Sequence, residues 1–244
     1  GPARASLQTG LLAGVVRHAC GPEWAHGGRQ TFSDPFSRLY SLRAGEAEVD
    51  HHGQTLSLRP GGLFVIPAHT PSRYCCPRSM SLTWLHFTAH LYGSLEPFAC
   101  LGWPFEIQAG AHGCDQLEKI IRLMEDDSPA ALLRADGLLR QLLARFAAAA
   151  PASAQKSEIG RLGRLQPVLT HIEHNLNRPL PLAELAEVAH LHPTYFSNRF
   201  AKHMGIPPVQ YINRRRVERA AGLLFQSEAL VEEIASAVGF RDVY

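Results

Sequence analysis

The sequence predicts a multidomain α+β chain: an antiparallel β-barrel or sandwich, then a helical segment, then an all-α helix-turn-helix domain. Three observations predict it. Between Leu39 and Phe87, short apolar segments are cut by turn residues at the spacing of antiparallel strands. From Cys114 to Ala150 the apolar period becomes helical. From Leu182 to Phe240, two short helix-turn-helix patterns follow one another, joined by a basic amphipathic helix. A chain of 244 residues is long enough for two domains with separate cores.

The β segments are Leu39–Leu42, Ala47–Asp50, Thr55–Leu58, Leu63–Ile66, Arg73–Cys76 and Ser81–Phe87. Their breaks fall at Ala44-Gly45, His52-Gly53, Pro60-Gly61-Gly62 and Pro67 to Pro71, as Gly and Pro demand. Strand alternation puts Leu82, Trp84 and His86 on one face and Thr83, Leu85 and Phe87 on the other. Trp84 with His86 offers an apolar plate beside a polar tip, suited to stacking on a sugar ring and bonding a hydroxyl. Arg38 and Tyr40 alternate on another strand and could anchor hydroxyls or a carboxylate. The expected effector is therefore a small polar metabolite, a sugar or sugar acid first, on Trp84, His86, Arg38 and Tyr40.

A metal-dependent barrel enzyme needs His ligands in register with a carboxylate. Here His51 and His52 are adjacent in a hairpin turn, where alternation sends them to opposite faces, and no matching Glu follows. His69 sits in a loop and His86 has no partner in register. The sequence thus predicts no metal, no cofactor, no catalytic residues and no enzyme. The alternatives are a metal-dependent enzyme with a helical accessory domain, or a regulator controlled by a protein partner with a side-chain-filled barrel.

Two helices are expected next, Cys114 to Asp126 and Pro129 to Ala150. Leu132, Leu133, Leu138, Leu139, Leu142, Leu143 and Phe146 make an apolar face broad enough for a helix of a second subunit as well as the barrel. Pro151 to Ser157 reads as a linker, and Gly160 to Asn177 as the first helix of the last domain.

In that domain, Leu182, Leu185, Ala186, Val188 and Ala189 share one face of a supporting helix, leaving Glu184 and Glu187 for water. After a turn at His190-Leu191, Pro193 opens a helix with Phe196 and Phe200 inward. Its other face holds Thr194, Tyr195, Ser197, Asn198, Ala201 and Lys202, side chains that can reach base edges and phosphates in a major groove. Met204-Gly205 and Pro207-Pro208 end it. A long helix from Val209 to Phe225 carries Arg214, Arg215, Arg216 and Arg219 beside Val217, Ala220, Leu223 and Leu224. A second supporting helix turns Val231, Ile234, Ala235 and Val238 inward. Double-stranded DNA is the expected partner, with Thr194, Tyr195, Ser197 and Asn198 reading bases and Arg199, Lys202, Arg214, Arg215 and Arg216 as candidates for phosphate contact.

The ordered set Leu182 to Ala186, Tyr195-Phe196-Ser197, Phe200, Gly205, Pro207, Tyr211-Ile212, Arg216, Glu218-Arg219-Ala220, Leu223-Leu224, Ile234-Ala235 and Val238 to Asp242 resembles the DNA-binding domain of the AraC/XylS family of transcription regulators. Gly45-Glu46, Gly53, Leu58 to Pro67 and Trp84 to Phe87 resemble the cupin-like effector domain common in that family. The resemblance implies a sugar-stacking role for Trp84, dimerisation through residues 114–150 and RNA polymerase as a further partner. It also implies a second recognition helix following Tyr244, so that the second reading unit is half present. The division expected is a cupin-like domain with an N-terminal arm over 1–112, a helical dimerisation segment over 113–150, a linker over 151–158 and a helix-turn-helix domain, incomplete at its C-terminus, over 159–244. Departures occur at Pro181 and His192, where Ser or Thr usually caps, at His190 in place of a turn Gly, and at Asn198-Arg199.

The net charge of +2 is too small to argue nucleic-acid binding, so distribution matters more. Between Leu191 and Arg219 the cations outnumber Glu218 markedly, as an electrostatic footprint on phosphates requires. Five scattered cysteines, Cys20, Cys75, Cys76, Cys100 and Cys114, show no paired metal spacing and suit a reducing cytoplasm. No signal peptide and no apolar run near membrane length is read.

Overall fold

A computed structural model describes residues 6–226 and 229–240, without the side chains at 26, 222, 225 and 226. Arg241 and Asp242, which close the motif read from the sequence, lie outside the described residues. The chain divides into two compact units, one of residues 7–90 and 95–156, the other of residues 157 onward with 91–94.

The first unit is built on two antiparallel sheets. One has the order β1-β7-β2-β5-β8, from Leu7–Cys20, Met80–Leu91, Ser37–Gly45, Gly62–Ile66 and Glu106–Gln108; the other has the order β4-β3-β6, from Gln54–Leu58, Ala47–His51 and Ser72–Cys75. Six of these strands match segments expected from alternation, whereas β1 and β8 do not. The reason for β1 is visible in its composition. Gly10 and Gly14 interrupt its apolar pattern, and a Cβ at Gly14 would lie 3.0 Å from the Trp84 carbonyl, so the strand runs too close to β7 for a side chain there.

Alternation determines which residues meet between the sheets. Tyr40 and Leu42 of β2, Phe64 and Ile66 of β5, Leu82 of β7, Val49 of β3 and Tyr74 of β6 form the apolar filling. The opposite set, Leu39, Leu63, Val65, Leu85 and Phe87, is fully buried as well, because helices cover the outer face of the larger sheet. Those helices are α2 (Gly110–Met124) and α3 (Pro129–Ala149), which follow the short α1 (Pro97–Cys100). Glu118 of α2, only 5% exposed, accepts from Arg17 of β1 at 3.1 Å and from Arg43 of β2 at 2.8 Å. Burial would raise the pKa of this carboxyl, but the two guanidinium partners outweigh it and hold the group below its usual range.

The second unit is all helical: α5 (Gln166–His174), α6 (Leu182–Val188), α7 (Pro193–Met204), α8 (Pro208–Gln226) and α9 (Val231–Ala237). The run expected as a linker is helical instead. It forms the beginning of α4 (Ala152–Gly163), within which the division between the units falls, and the single helix expected over Gly160 to Asn177 is interrupted between α4 and α5. Ala152, Ala154 and Gln155 are adequate helix formers, so polarity alone did not make this segment a coil.

His190 takes φ +55°, the left-handed turn conformation that glycine usually supplies, and Gly205 closes α7 at φ +74°. Neither Pro181 nor His192 caps its helix with a side chain; Pro181 has no side-chain acceptor to offer. At the end of α9, Gly239 has φ +90°, and a Cβ there would meet the Leu176 carbonyl at 2.2 Å. Any other residue would force α9 away from the end of α5.

Candidate functional site

Two places bring functional side chains together. The first is α7. Phe196 and Phe200 are fully buried on its inner face with ring centroids 5.6 Å apart, and Phe200 meets Tyr211 of α8 edge-on at 5.4 Å. That anchoring fixes the opposite face, where Thr194, Asn198 and Lys202 recur every four residues as one exposed stripe with Tyr195, 56% exposed, beside it. Ser197 and Arg199 are half-buried at its edges. The helix therefore displays a row of hydrogen-bonding tips, one of them cationic, supported by a rigid aromatic core.

Three arginines of α8, Arg214, Arg215 and Arg216, make contacts within the second unit. Arg215 is held by Glu173 of α5 through Nε and Nη2, at 2.6 and 3.1 Å, and also by Glu218. Arg216 donates to the carbonyls of Leu176 and Arg178 at 2.9 and 2.7 Å and lies 5.8 Å above the Phe240 ring. Arg214 donates to Glu218 at 3.0 Å. Arg215 and Arg216 thus tie the end of α5 to α8 and direct donors into the unit, whereas Arg214, 40% exposed, pairs along its own helix. Glu173 lies 42 residues from Arg215 in sequence, so charge counting along α8 alone could not reveal the pair.

Glu184 is likewise not left for water. It accepts from Arg178 and approaches His171 Nε2 at 2.5 Å, which ties α6 to α5; Arg178 first, then His171, holds its pKa down to about 2. Val231, expected inward, is 59% exposed, while Ile234 and Val238 are buried.

The second place is a cavity of about 340 Å³ in the first unit, lined by Trp24, Ala25, Phe32, Asp34, Arg38, Tyr40, Tyr74 and His86. Three of the four effector residues expected from the sequence converge there. Register explains it: on adjacent antiparallel strands, Arg38 of β2 stands opposite His86 of β7, and Tyr40 opposite Trp84. The fourth, Trp84, is not among the lining residues. Its indole packs at 4.5 Å against the imidazole of His86 and donates to His18 Nδ1 at 3.4 Å, so it stands behind His86 and supports it. Phe36 stacks on His86 with ring centroids 4.5 Å apart.

The cavity's aromatic wall comes from elsewhere. Trp24, in a 3-10 turn over Trp24–Gly28, lies edge-on to Tyr74 at 5.2 Å and to Tyr40 at 6.0 Å, and Phe32 meets Tyr74 at 5.8 Å. Neither Trp24 nor Phe32 lies in a periodic segment, and that is why alternation could not find them. Arg38 is 5% exposed, with its guanidinium paired to Asp34 and donating to the Tyr74 hydroxyl; it lies 5.4 Å from the Tyr74 ring centre and 5.6 Å from that of Phe36.

Protonation follows from this setting. Burial, with Arg38 nearby, lowers His86 to about 4, so at neutral pH its ring has one donor and one acceptor. Burial likewise raises Tyr40 and Tyr74, which keep their hydroxyl protons. Among the described residues, no three His, Cys, Asp or Glu side chains come together to hold a metal. His51 and His52 line a separate polar cavity of about 360 Å³ with Asp50 and Arg73, the His51 ring lying edge-on to Phe105 at 4.7 Å. No helix among the described residues is long and apolar enough to cross a membrane.

A family model of the AraC-like ligand binding domain matches residues 12–143, and one of a helix-turn-helix domain matches residues 185–243. The chain is 32% identical over 75 residues to the uncharacterized HTH-type transcriptional regulator YobQ of Bacillus subtilis (strain 168), covering 31% of each. It is 23% identical over 242 residues, 93% of this chain and 84% of that one, to the raffinose operon transcriptional regulatory protein RafR of Pediococcus pentosaceus. The chain covers only about a quarter to a third of the length of several of the curated relatives it matches. Among solved structures, ToxT of Vibrio cholerae O395 superposes with a TM-score of 0.57 over 98% of this chain and 90% of that one; at 9% identity, the likeness concerns the fold alone. The match over residues 12–143, which covers the barrel and its helices, with the helix-turn-helix match after it, means that the chain belongs to the AraC family of transcription regulators.

Proposed function

We propose that this chain is an effector-responsive regulator that binds double-stranded DNA through α7 and a small polar effector, a sugar or sugar acid, in the cavity of the first unit. The observation that carries the DNA reading is the exposed stripe of Thr194, Asn198 and Lys202 on a helix locked by Phe196 and Phe200. A helix of that build fits a major groove, with Thr194, Tyr195, Ser197 and Asn198 toward base edges and Arg199 and Lys202 toward phosphates. Quantitative binding to fragments upstream of its own gene tests this: the complex should be sequence-selective and salt-sensitive.

The effector reading rests on the cavity. A volume of about 340 Å³ is at the small end of ligand pockets and leaves room for a small molecule, which favours it over a regulator with a filled barrel. Aromatic faces at Trp24 and Tyr74 suit the C–H faces of a sugar ring, and Arg38, Tyr40 and His86 suit its hydroxyls. RafR, a regulator of a raffinose operon, supports a carbohydrate as first choice. A thermal-shift screen of monosaccharides, uronic acids and small aromatic acids tests it; stabilisation by an aromatic acid and by no carbohydrate would sink the claim.

Dimerisation through residues 114–150 belongs to the same reading. Leu133 is 74% and Leu132 44% exposed on α3, while Leu139, Leu142, Leu143 and Phe146 are spent on the unit's own core. Leu123 and Leu138 line a groove of about 480 Å³ between α2 and α3 that a helix of a second copy could fill. Light scattering should report a dimer that Leu133→Asp weakens. RNA polymerase is the further partner that an activator would need.

A further inference from the structure

We propose that the cavity selects an uncharged polyhydroxy compound over its acidic counterpart, and that Asp34 is the residue that sets this selection. The inference rests on the reading of the cavity as the effector site and narrows the ligand from a sugar or sugar acid to a neutral one.

The charges at the cavity wall set what it can accept. Arg38 supplies a cation, but the carboxylate of Asp34, itself a lining residue, is already on that guanidinium. Tyr40, Tyr74 and His86 add donors and acceptors without net charge at neutral pH. The wall therefore holds one positive and one negative group in direct contact, and its net charge is zero. A uronate or aromatic carboxylate reaching for Arg38 would meet the Asp34 carboxylate on the same guanidinium. Two carboxylates brought to one nearly buried guanidinium repel each other, so the acid must either displace Asp34 or forgo the arginine. A cationic ligand faces the converse problem, because Arg38 already occupies the aromatic faces of Tyr74 and Phe36.

An uncharged diol meets neither obstacle. A carboxylate only accepts hydrogen bonds and a guanidinium only donates them. Adjacent hydroxyls can do both: one donates to Asp34 while its neighbour accepts from Arg38, so the ion pair becomes a two-point anchor for vicinal hydroxyls. Trp24, on the same wall, provides an indole for the C–H face of the ring.

The position of Asp34 is built into the fold. Its backbone carbonyl accepts from His69 N at 2.7 Å, which fixes the loop before β2, and its side chain is about one-third exposed, available to a ligand in the cavity. Arg38, by contrast, is almost fully buried and cannot swing out to meet an acid elsewhere.

Matched ligand pairs test the proposal: galactose against galacturonate, glucose against glucuronate, and galactosamine as the cationic arm, each by calorimetric titration of the wild-type chain, Asp34→Asn and Asp34→Glu. In the wild type the neutral member of the pair that binds should be favoured by at least about tenfold. Asp34→Asn, which removes the charge and keeps the shape, should shift that preference toward the acid by about tenfold or more, whereas Asp34→Glu should retain the neutral preference. Equal or tighter wild-type binding of the uronate or of galactosamine would overturn the inference and leave the effector reading intact. So would an Asp34→Asn variant with an unchanged preference. If Asp34→Asn fails to fold, judged by circular dichroism without ligand, the wild-type ratios and the Glu variant decide. Failure of every sugar in the panel to bind overturns the carbohydrate reading itself, and this inference with it.

Discussion

Glu173 of α5 and Arg215 of α8 are joined by two hydrogen bonds, Nε to Oε1 at 2.6 Å and Nη2 to Oε2 at 3.1 Å. The pair sits where α5 and α8 pass one another, with side chains only 15% and 23% exposed. A bidentate contact of this kind fixes both the distance and the angle between the helices, and so the base on which α7 is mounted.

Removing Arg215 leaves the half-buried Glu173 without its guanidinium, and Glu218 loses the same partner. Arg215→Ala should therefore destabilise the helix-turn-helix unit by about 3 kcal/mol, at the low end for buried pairs because some solvent reaches both groups. Urea unfolding followed by circular dichroism measures it; an unchanged midpoint would mean that the pair is a surface ornament.

Base reading and phosphate contact separate by salt dependence. Asn198→Ala should lose about 1–3 kcal/mol of discrimination between cognate and altered sites with little change in nonspecific affinity. Lys202→Ala should weaken binding to every sequence alike and reduce the slope of log K against log salt by about one. Fluorescence anisotropy across a salt series distinguishes the two, and identical behaviour of the variants would contradict the assignment.

Much of this organisation was legible in the sequence. Strands β2 to β7 and helices α2, α3 and α6 to α9 announce themselves by period and by Gly and Pro at their ends. Arg38, Tyr40 and His86 were found because alternation puts them on inward faces. Trp24 and Asp34 were not, since loop residues carry no period. Trp84 shares a strand face with His86, but the strand crosses the cavity wall, and only the three-dimensional arrangement tells which of the two reaches the cavity. The contacts of Arg215 with Glu173 and of Arg216 with the end of α5 were not legible, because they join positions about forty residues apart in the chain.

Trp24 and Trp84 should therefore respond differently to the same substitution. Trp24→Leu removes the aromatic wall and should cost at least about tenfold in effector affinity. Trp84→Leu should keep most of the affinity while lowering thermal stability, because its indole braces His86 and packs against the core. Loss of binding in Trp84→Leu with normal stability would return the stacking role to Trp84.

The first unit should also lose stability on acidification through His86. Its folded pKa is lowered to about 4 from an ordinary 6.5, so the unfolded chain binds the proton more readily. Stability is therefore fully present above the unfolded value and declines as pH falls from about 6.5 toward 4, by at most about 2 kcal/mol after allowing for solvent screening. In His86→Gln this part of the pH dependence should vanish; a pH profile identical to that of the wild type would place the titration elsewhere.

The central claim is that α7 reads DNA sequence under the control of the first unit. Selection of fragments of its own genome by the intact chain, followed by anisotropy on the enriched fragment with and without the bound sugar, tests it most directly. The account predicts an enriched site with at least about a thousandfold preference over random DNA, and an affinity that changes when the sugar is added. Equal affinity for every fragment, indifferent to any ligand that the first unit binds, would contradict it.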